Sequence, residues 1–185
     1  MFPVLIIVIA AIVLLALWLV AIFNGLVRLR NRVDNAWSDI DTVLQERWDA
    51  IGQIVSTVKG AKNFEQETLT KVIEARSMAT KAGTPLEHAA AENMLTESLK
   101  SLFAVAEAYP ELKATQNFQD LQSKIGQLED KLNSARRFYN GTVRDFNTKI
   151  QVFPNNIVSG MLGFKKYEFY DAPSEIEKAP EISFE

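Results

Sequence analysis

The chain has 185 residues, 20 Lys and Arg against 23 Asp and Glu, one His and no Cys. A net charge of −3 and a pI near 5.4 leave no basic surplus to neutralise phosphates, which excludes a protein built chiefly to grip nucleic acid. The missing cysteines exclude disulfides, thiolate metal sites and thiol catalysis, and a single histidine removes most zinc and triad chemistries.

The average composition hides a division, because no charged side chain precedes Arg28. Phe2 to Phe23 reads FPVLIIVIAAIVLLALWLVAIF, 22 residues, the length an α-helix needs to cross about 30 Å of hydrocarbon. Sixteen of these are Leu, Ile, Val or Phe, which together favour the bilayer by about 5 to 10 kcal/mol. A cleaved signal peptide is the competing reading. It lacks support, since no basic segment precedes the run, the run is too long, and no small-x-small cleavage site follows. Arg28, Arg30 and Arg32 just past the exit predict a cytoplasmic bulk and an N-terminus outside, in the inner membrane of a cell. Trp18 and Phe23 are placed to anchor the inner interface.

Beyond the bilayer, Leu26, Leu29, Val33, Trp37, Ile40, Leu44, Trp48, Ile51, Val55 and Val58 recur at steps of three and four, one stripe on one helix face. The stripe starts in phase with the membrane segment, so a single helix is predicted through Asn24-Gly25, with its first stop at Gly60, Lys62 and Asn63. A second helix is predicted over Phe64 to Lys81, with Phe64, Leu69, Val72, Ile73 and Ala79 inward and Gly83 closing it. Thr84, Pro85 and Glu87 read as cap, first-turn proline and first-turn acid of a third helix running to about Ala108. Its inward line is Leu86, Ala90, Met94, Leu95, Leu99, Leu102 and Ala106. A fourth helix from about Leu112 or Asn117 carries Phe118, Leu121, Ile125, Leu128, Leu132, Ala135, Tyr139, Thr142, Phe146 and Ile150 in a nearly heptadic register.

Short connections predict antiparallel neighbours, hence an all-α protein in which the membrane helix continues into an up-and-down four-helix bundle. The expected division is 1–27 anchor and exit, 28–152 bundle, 153–170 short membrane-proximal helix and aromatic segment, and 171–185 extended acidic tail with Ile182 and Phe184 available to dock. The first and fourth helices reach about 53 Å beyond the bilayer, but the middle two only about 30 Å. If all four meet at the far tip, the membrane-proximal half holds two helices, and the segment after Phe153 is delivered there to cover them. Pro154 opens its short helix, with Ile157, Val158, Met161 and Leu162, and Gly160 and Gly163 limit it.

Two stretches carry a family resemblance. LRNRVDNAWSDIDTVLQERWDAIGQIVSTVKGAKNFE, Leu29 to Glu65, resembles the signature helix of LemA-type membrane proteins, and ARRFYNGTVRDFNTKIQVFPNNIVSGMLGFKKYEFY, Ala135 to Tyr170, is similar to their C-terminal half. The pairing of RN-x-V-x-N-A-W-x-D-I-D with RR-x-YN-x-x-V-x-x-x-N is specific, and order and spacing agree over nearly the whole chain. Gly52 and Gln53 depart from the family's usual Pro-Asn, so a kink expected there is absent or softened. The resemblance implies a bacterial, single-pass, N-out protein with an antiparallel helical domain, no established enzymatic activity, and an association with membrane stress and protein quality control.

The polar residues offer no catalytic, cofactor or metal constellation. Asn31, Asp34, Asn35, Asp39 and Asp41 form a dense run above the membrane exit and are the candidate partner-binding residues. Paired carboxylates can serve as acid and base or hold a hard cation. The plainer reading is a solvated face, or hydrogen bonding to Arg136, Arg137, Asn140, Arg144 and Asn147. Asp39-x-Asp41 lacks the glycine and terminal Glu of a calcium loop. His88, beside Glu87 and Glu92, reads as a surface histidine. Arg28, Arg30, Arg32, Phe164, Lys165, Lys166 and Tyr167 join Trp18 and Phe23 as membrane-interface candidates. For the C-terminal aromatics the alternative is that Phe164, Phe169 and Tyr170 pack on the bundle while the lysines stay solvated. The expected function is a non-enzymatic membrane-tethered scaffold or adaptor. Its partners are the lipid bilayer, an unidentified protein and a possible second copy along the heptadic stripes, with no cofactor, nucleic acid or small-molecule substrate. A self-assembling membrane organiser that binds lipid through its C-terminal aromatic and basic segment is the second reading, and a carboxylate- or metal-dependent enzyme the third.

Overall fold

The computed structural model describes residues 2–62 and 64–171. Asn63 and the expected tail beyond Asp171, with Ile182 and Phe184, lie outside the described residues. The elements are α1 (Phe2–Lys59), α2 (Gln66–Ala79), α3 (Pro85–Ala106), α4 (Pro110–Lys113), α5 (Gln116–Gln151) and α6 (Asn155–Leu162), and no strand occurs among the described residues. α1 passes through Asn24-Gly25 and through Gly52 without a break. It contains one stretch long and apolar enough to cross a membrane, with mean hydropathy 3.4 over its best 18 residues and none of that stretch buried within the protein. That lack of protein cover sets the stretch apart from the buried core helix of a soluble protein.

The chain divides into two compact units, to both of which α1 and α5 contribute. The first comprises residues 2–38 with Phe138–Tyr167. Its interior takes Leu26, Val33 and Ala36 from α1, Tyr139, Val143, Phe146 and Ile150 from α5, and Val158 from α6. Trp37 meets Tyr139 edge-on at 5.3 Å between ring centroids. α6 ends where Gly163 turns left-handed, with φ at 72°, a conformation that glycine adopts without steric cost.

The second unit comprises residues 39–137 with 168–171. Its core joins Ile51, Ile54 and Val58 of α1, Leu69, Val72 and Ala79 of α2, Leu95, Leu99 and Leu102 of α3, Leu112 of α4, and Phe118, Leu121, Ile125 and Leu128 of α5. The helical spacing of these apolar positions is what allows each helix to bury one face. α3 starts on a reciprocal cap: the Glu87 N–H donates to Thr84 Oγ1 at 3.2 Å and the Thr84 N–H to Glu87 Oε2 at 3.1 Å, with Pro85 in the first turn. The Gly83 N–H and then the Thr84 N–H, both donating to its carboxylate, hold the Glu87 carboxyl below its ordinary pKa.

Three expectations need correction. α2 starts at Gln66, not Phe64, and ends at Ala79; Ile73 is 37% exposed; and Gly83 does not close the helix but donates its N–H to Glu87 Oε2 at 2.8 Å. A separate short α4 precedes α5, because Pro110 and then the Ala114–Thr115 turn interrupt the chain. On α3, Leu86 and Met94 are 51% and 53% exposed and Ala90 is exposed with them, and the inward line is His88, Glu92, Leu95, Leu99, Leu102 and Ala106.

That line carries a charged residue because Glu92 has partners. Its side chain, 2% exposed, receives Trp48 Nε1–H at 2.7 Å and faces Arg47 Nε at 3.5 Å, with Arg47 itself 1% exposed and donating from Nη2 to Thr96 Oγ1 at 2.8 Å. Burial raises the Glu92 pKa, opposed by Arg47 and the Trp48 hydrogen bond. His88, 7% exposed and expected on the surface, stacks on Trp48 at 6.1 Å. Desolvation lowers its pKa below the ordinary 6.5, against the opposing pull of Asp41 and Glu87.

Two outcomes follow for this cluster. Arg47→Met leaves a buried carboxylate unpaired and costs about 3 to 5 kcal/mol, whereas Arg47→Met with Glu92→Leu recovers most of that loss. Urea unfolding of the full chain in micelles measures both; equal costs for the single and double variants contradict the pairing. His88 is held neutral when folded, so its contribution is fully present above pH 6.5 and is lost as pH falls through the depressed folded value. The stability difference between the wild type and His88→Gln therefore shrinks on acidification from pH 7, as thermal melts at a series of pH values check.

Candidate functional site

The candidate partner-binding residues are all exposed on α1, with Asn31, Asp34 and Asn35 in the first unit and Asp39 and Asp41 in the second. They sit on the side of the helix away from Val33, Ala36, Ile40 and Leu44, which are buried. Among the described residues no three His, Asp or Glu side chains gather as a metal ion requires. Asp41 acts electrostatically on His88.

Asp34 has partners from both candidate groups. Its carboxylate accepts the Tyr167 hydroxyl at 2.6 Å and stands 3.9 Å from Arg30 Nε. Burial, followed by the Asp34 carboxylate, raises the Tyr167 pKa. The Tyr167 backbone is gripped by one side chain: Asn147 Oδ1 accepts its N–H and Asn147 Nδ2 donates to its carbonyl, each at 2.9 Å. An amide side chain carries one acceptor and two donors, so it can pair with both backbone groups of one residue at once. Phe146 meets the Tyr167 ring edge-on at 5.3 Å and the Phe164 ring at 6.2 Å, and Phe164 also reaches Phe23 at 6.4 Å.

The remaining interface candidates divide by chemistry. Lys165 and Lys166 point to solvent between the half-buried Phe164 and Tyr167. Trp18 and Phe23 are exposed on the anchor, Arg28 Nε donates to its own helix at the Asn24 carbonyl at 3.2 Å, and Arg32 lies over the Phe138 ring at 5.6 Å. In the second unit Tyr170 is fully buried under Arg136, whose guanidinium stands 4.7 Å from the ring centroid and pairs with Asp171. Burial raises the Tyr170 pKa. Of the α5 residues expected to face the acidic run, Arg136 thus holds Asp171 and Asn147 holds Tyr167.

Three residues of consequence escaped the sequence reading: Arg47 and Glu92 as a pair, and Asn147 as a clamp. The first two had a signal, since each falls in phase with its helix's apolar stripe and their charges are opposite. Asn147 had none, because its partner is backbone. Asn147→Ala leaves the Tyr167 N–H and carbonyl without their partner, a loss of about 1 to 3 kcal/mol for a buried donor. Amide exchange at Tyr167 is then expected to accelerate about tenfold or more while Val143 stays protected; unchanged exchange at Tyr167 would refute the clamp.

Comparison with known proteins places these elements in a wider group. Protein LemA of Metamycoplasma hominis is 31% identical over 159 residues, which is 84% of this chain and 71% of that protein. A shorter likeness, 27% identity over 73 residues, joins the chain to Magnetosome protein MamQ 2 of Paramagnetospirillum magneticum, covering 40% of this chain and 27% of that one. Magnetosome protein MamQ of Magnetospirillum gryphiswaldense matches over a segment of the same length at 25% identity. The LemA family model matches residues 36–184, and the chain belongs to the LemA family.

Proposed function

We propose that this chain is a non-enzymatic scaffold or adaptor, tethered by one pass through a bacterial cytoplasmic membrane with its N-terminus outside and its helices in the cytoplasm. In this reading α1, α2, α3 and α5 form an antiparallel up-and-down four-helix bundle, and the polar face of α1 from Asn31 to Asp41 receives a protein partner. The observation that carries it is the division of labour on one helix. α1 is apolar all round from Phe2 to Phe23, then buries Leu26, Val33, Ile40 and Leu44 while leaving Asn31, Asp34, Asn35, Asp39 and Asp41 exposed. Within each unit, polar residues held out by a packed opposite face suit docking, because their positions are fixed before a partner arrives. The three arginines after the anchor support the orientation. The link to membrane stress and protein quality control rests on the family resemblance.

A photo-crosslinking residue at Asn35 in intact cells tests the reading. Capture of one distinct protein, identified by mass spectrometry, is the expected result; capture of lipid or of this chain alone would replace the adaptor with the self-assembling membrane organiser. Deletion of Phe2 to Phe23 separates the same two ideas. The adaptor reading expects the shortened chain to leave anionic vesicles unbound.

A further inference from the structure

α6 breaks the rule that a helix on a protein's surface turns polar residues outward. Its protein-facing side holds Asn155, Val158 and Ser159, with the Ser159 hydroxyl donating to the Ile150 carbonyl at 2.8 Å. Apolar side chains dominate what α6 leaves uncovered: Met161 is 82% exposed and Ile157 and Leu162 more than half, with Phe153 before the helix at 78%, and Asn156 is the one polar side chain exposed among them. Asn155–Leu162 contains no charged residue. Exposed apolar side chains scattered singly need no explanation, but a contiguous set on one short helix does.

What covers this face is indicated by what stands next to it. An apolar cleft of about 410 Å³ separates α6 from the anchor, walled by Leu19, Val20 and Phe23 on α1 and Val158, Met161 and Leu162 on α6. The α1 wall belongs to the membrane-spanning stretch, so the cleft opens on the same acyl chains that cover the anchor. Phe23 and Leu162 also wall an adjoining cleft of about 500 Å³, into which Arg30, Lys165 and Lys166 bring positive charge. Asp34 offsets part of the Arg30 charge. An apolar slot joined to a basic one at the membrane exit matches the two ends of a single amphiphile.

We infer that α6 lies in the membrane interface and that the joined clefts between it and the anchor seat an anionic phospholipid of the bilayer, one acyl chain against Leu19, Phe23 and Met161 and the headgroup phosphate among Arg30, Lys165 and Lys166. Buried apolar area and charge attraction act together in such surface helices. This rests on the anchor spanning the bilayer: Leu19, Val20 and Phe23 form half of the apolar cleft, so a chain without Phe2 to Phe23 lacks the site and leaves the adaptor test unaffected. It assigns the lipid-facing role to α6 and Phe153 and leaves Phe164 and Tyr167 to protein packing.

The chain contains no cysteine, so single-cysteine variants of the full protein, labelled with a fluorophore and placed in vesicles, report depth directly. Vesicles of phosphatidylcholine with phosphatidylglycerol are made in two forms, with bromine on the acyl chains of one lipid or the other. Val13→Cys tests the anchor alone, and Met161→Cys tests α6. The expected result is quenching at both, with Met161→Cys quenched at least twofold more by brominated phosphatidylglycerol than by brominated phosphatidylcholine at equal mole fraction. Adding Lys165→Gln and Lys166→Gln should abolish that preference. Quenching at Val13 without quenching at Met161 overturns the inference while the anchor stands, and equal quenching by both lipids overturns the anionic site. Shielding of Met161 that varies with the protein-to-lipid ratio assigns the face to a second copy and also overturns it. Absence of quenching at Val13 removes the anchor and the inference with it.

Discussion

The structure depends on the phase of one helix. α1 is apolar on every side from Phe2 to Phe23 and apolar on a single side from Leu26 onward, and it stays helical throughout. A continuous backbone carries the orientation of the membrane segment into the first packed residues, because each residue turns the next by a fixed angle. Leu26 and Val33, seven residues apart, share one face of α1 and are buried, while Asn31 and Asn35 share another and are exposed. Inserting one residue near Gly25 would rotate the anchor by about 100° against the stripe and carry Leu19, Val20 and Phe23 away from α6.

Within each unit, apolar burial sets the partners and polar contacts set the register. In the second unit the desolvated Arg47–Glu92 pair is weak evidence for stability, because removing two charges from water offsets most of their attraction. Its effect is on specificity: a sliding of α3 along α1 would leave both charges buried and unpaired. Arg76 adds a similar constraint, its Nε donating to the Trp48 carbonyl at 2.8 Å while its guanidinium lies against Gly52. In an α-helix that carbonyl is also the acceptor for the N–H of residue 52. A proline at that position, the family's usual residue, would leave the carbonyl to the arginine. In the first unit Asn147 fixes the Tyr167 backbone, which lies outside any helix.

The helices were legible in the sequence wherever apolar periodicity was long. The α1 stripe and the α5 line from Phe118 to Ile150 are buried or half-buried at every position read from the spacing. The reading failed on α3, where counting only apolar residues favoured Leu86 and Met94 over His88 and Glu92. A buried polar side chain is admitted by its partner, and a partner on another helix is invisible to periodicity. The same blindness hid the Tyr167 clamp. The C-terminal lysines were legible as a basic pair, but their aromatic neighbours were ambiguous, since Phe164 packs on Phe23 and Phe146 by contacts that no spacing encodes. The apolar outer face of α6 was present in the sequence as Ile157, Met161 and Leu162. Only the burial of Val158 and Ser159 shows which side faces out.

The central proposal is that α1 crosses the membrane once and that the helices after it stand on the inner side. The absence of cysteine allows the claim to be read with a membrane-impermeant maleimide on intact cells, using Asn35→Cys on α1 and Gln127→Cys on α5, both exposed positions. The account predicts that neither position is labelled until the cells are permeabilised, and that both are labelled afterwards. Labelling of either position in intact cells would place the helices outside and contradict it.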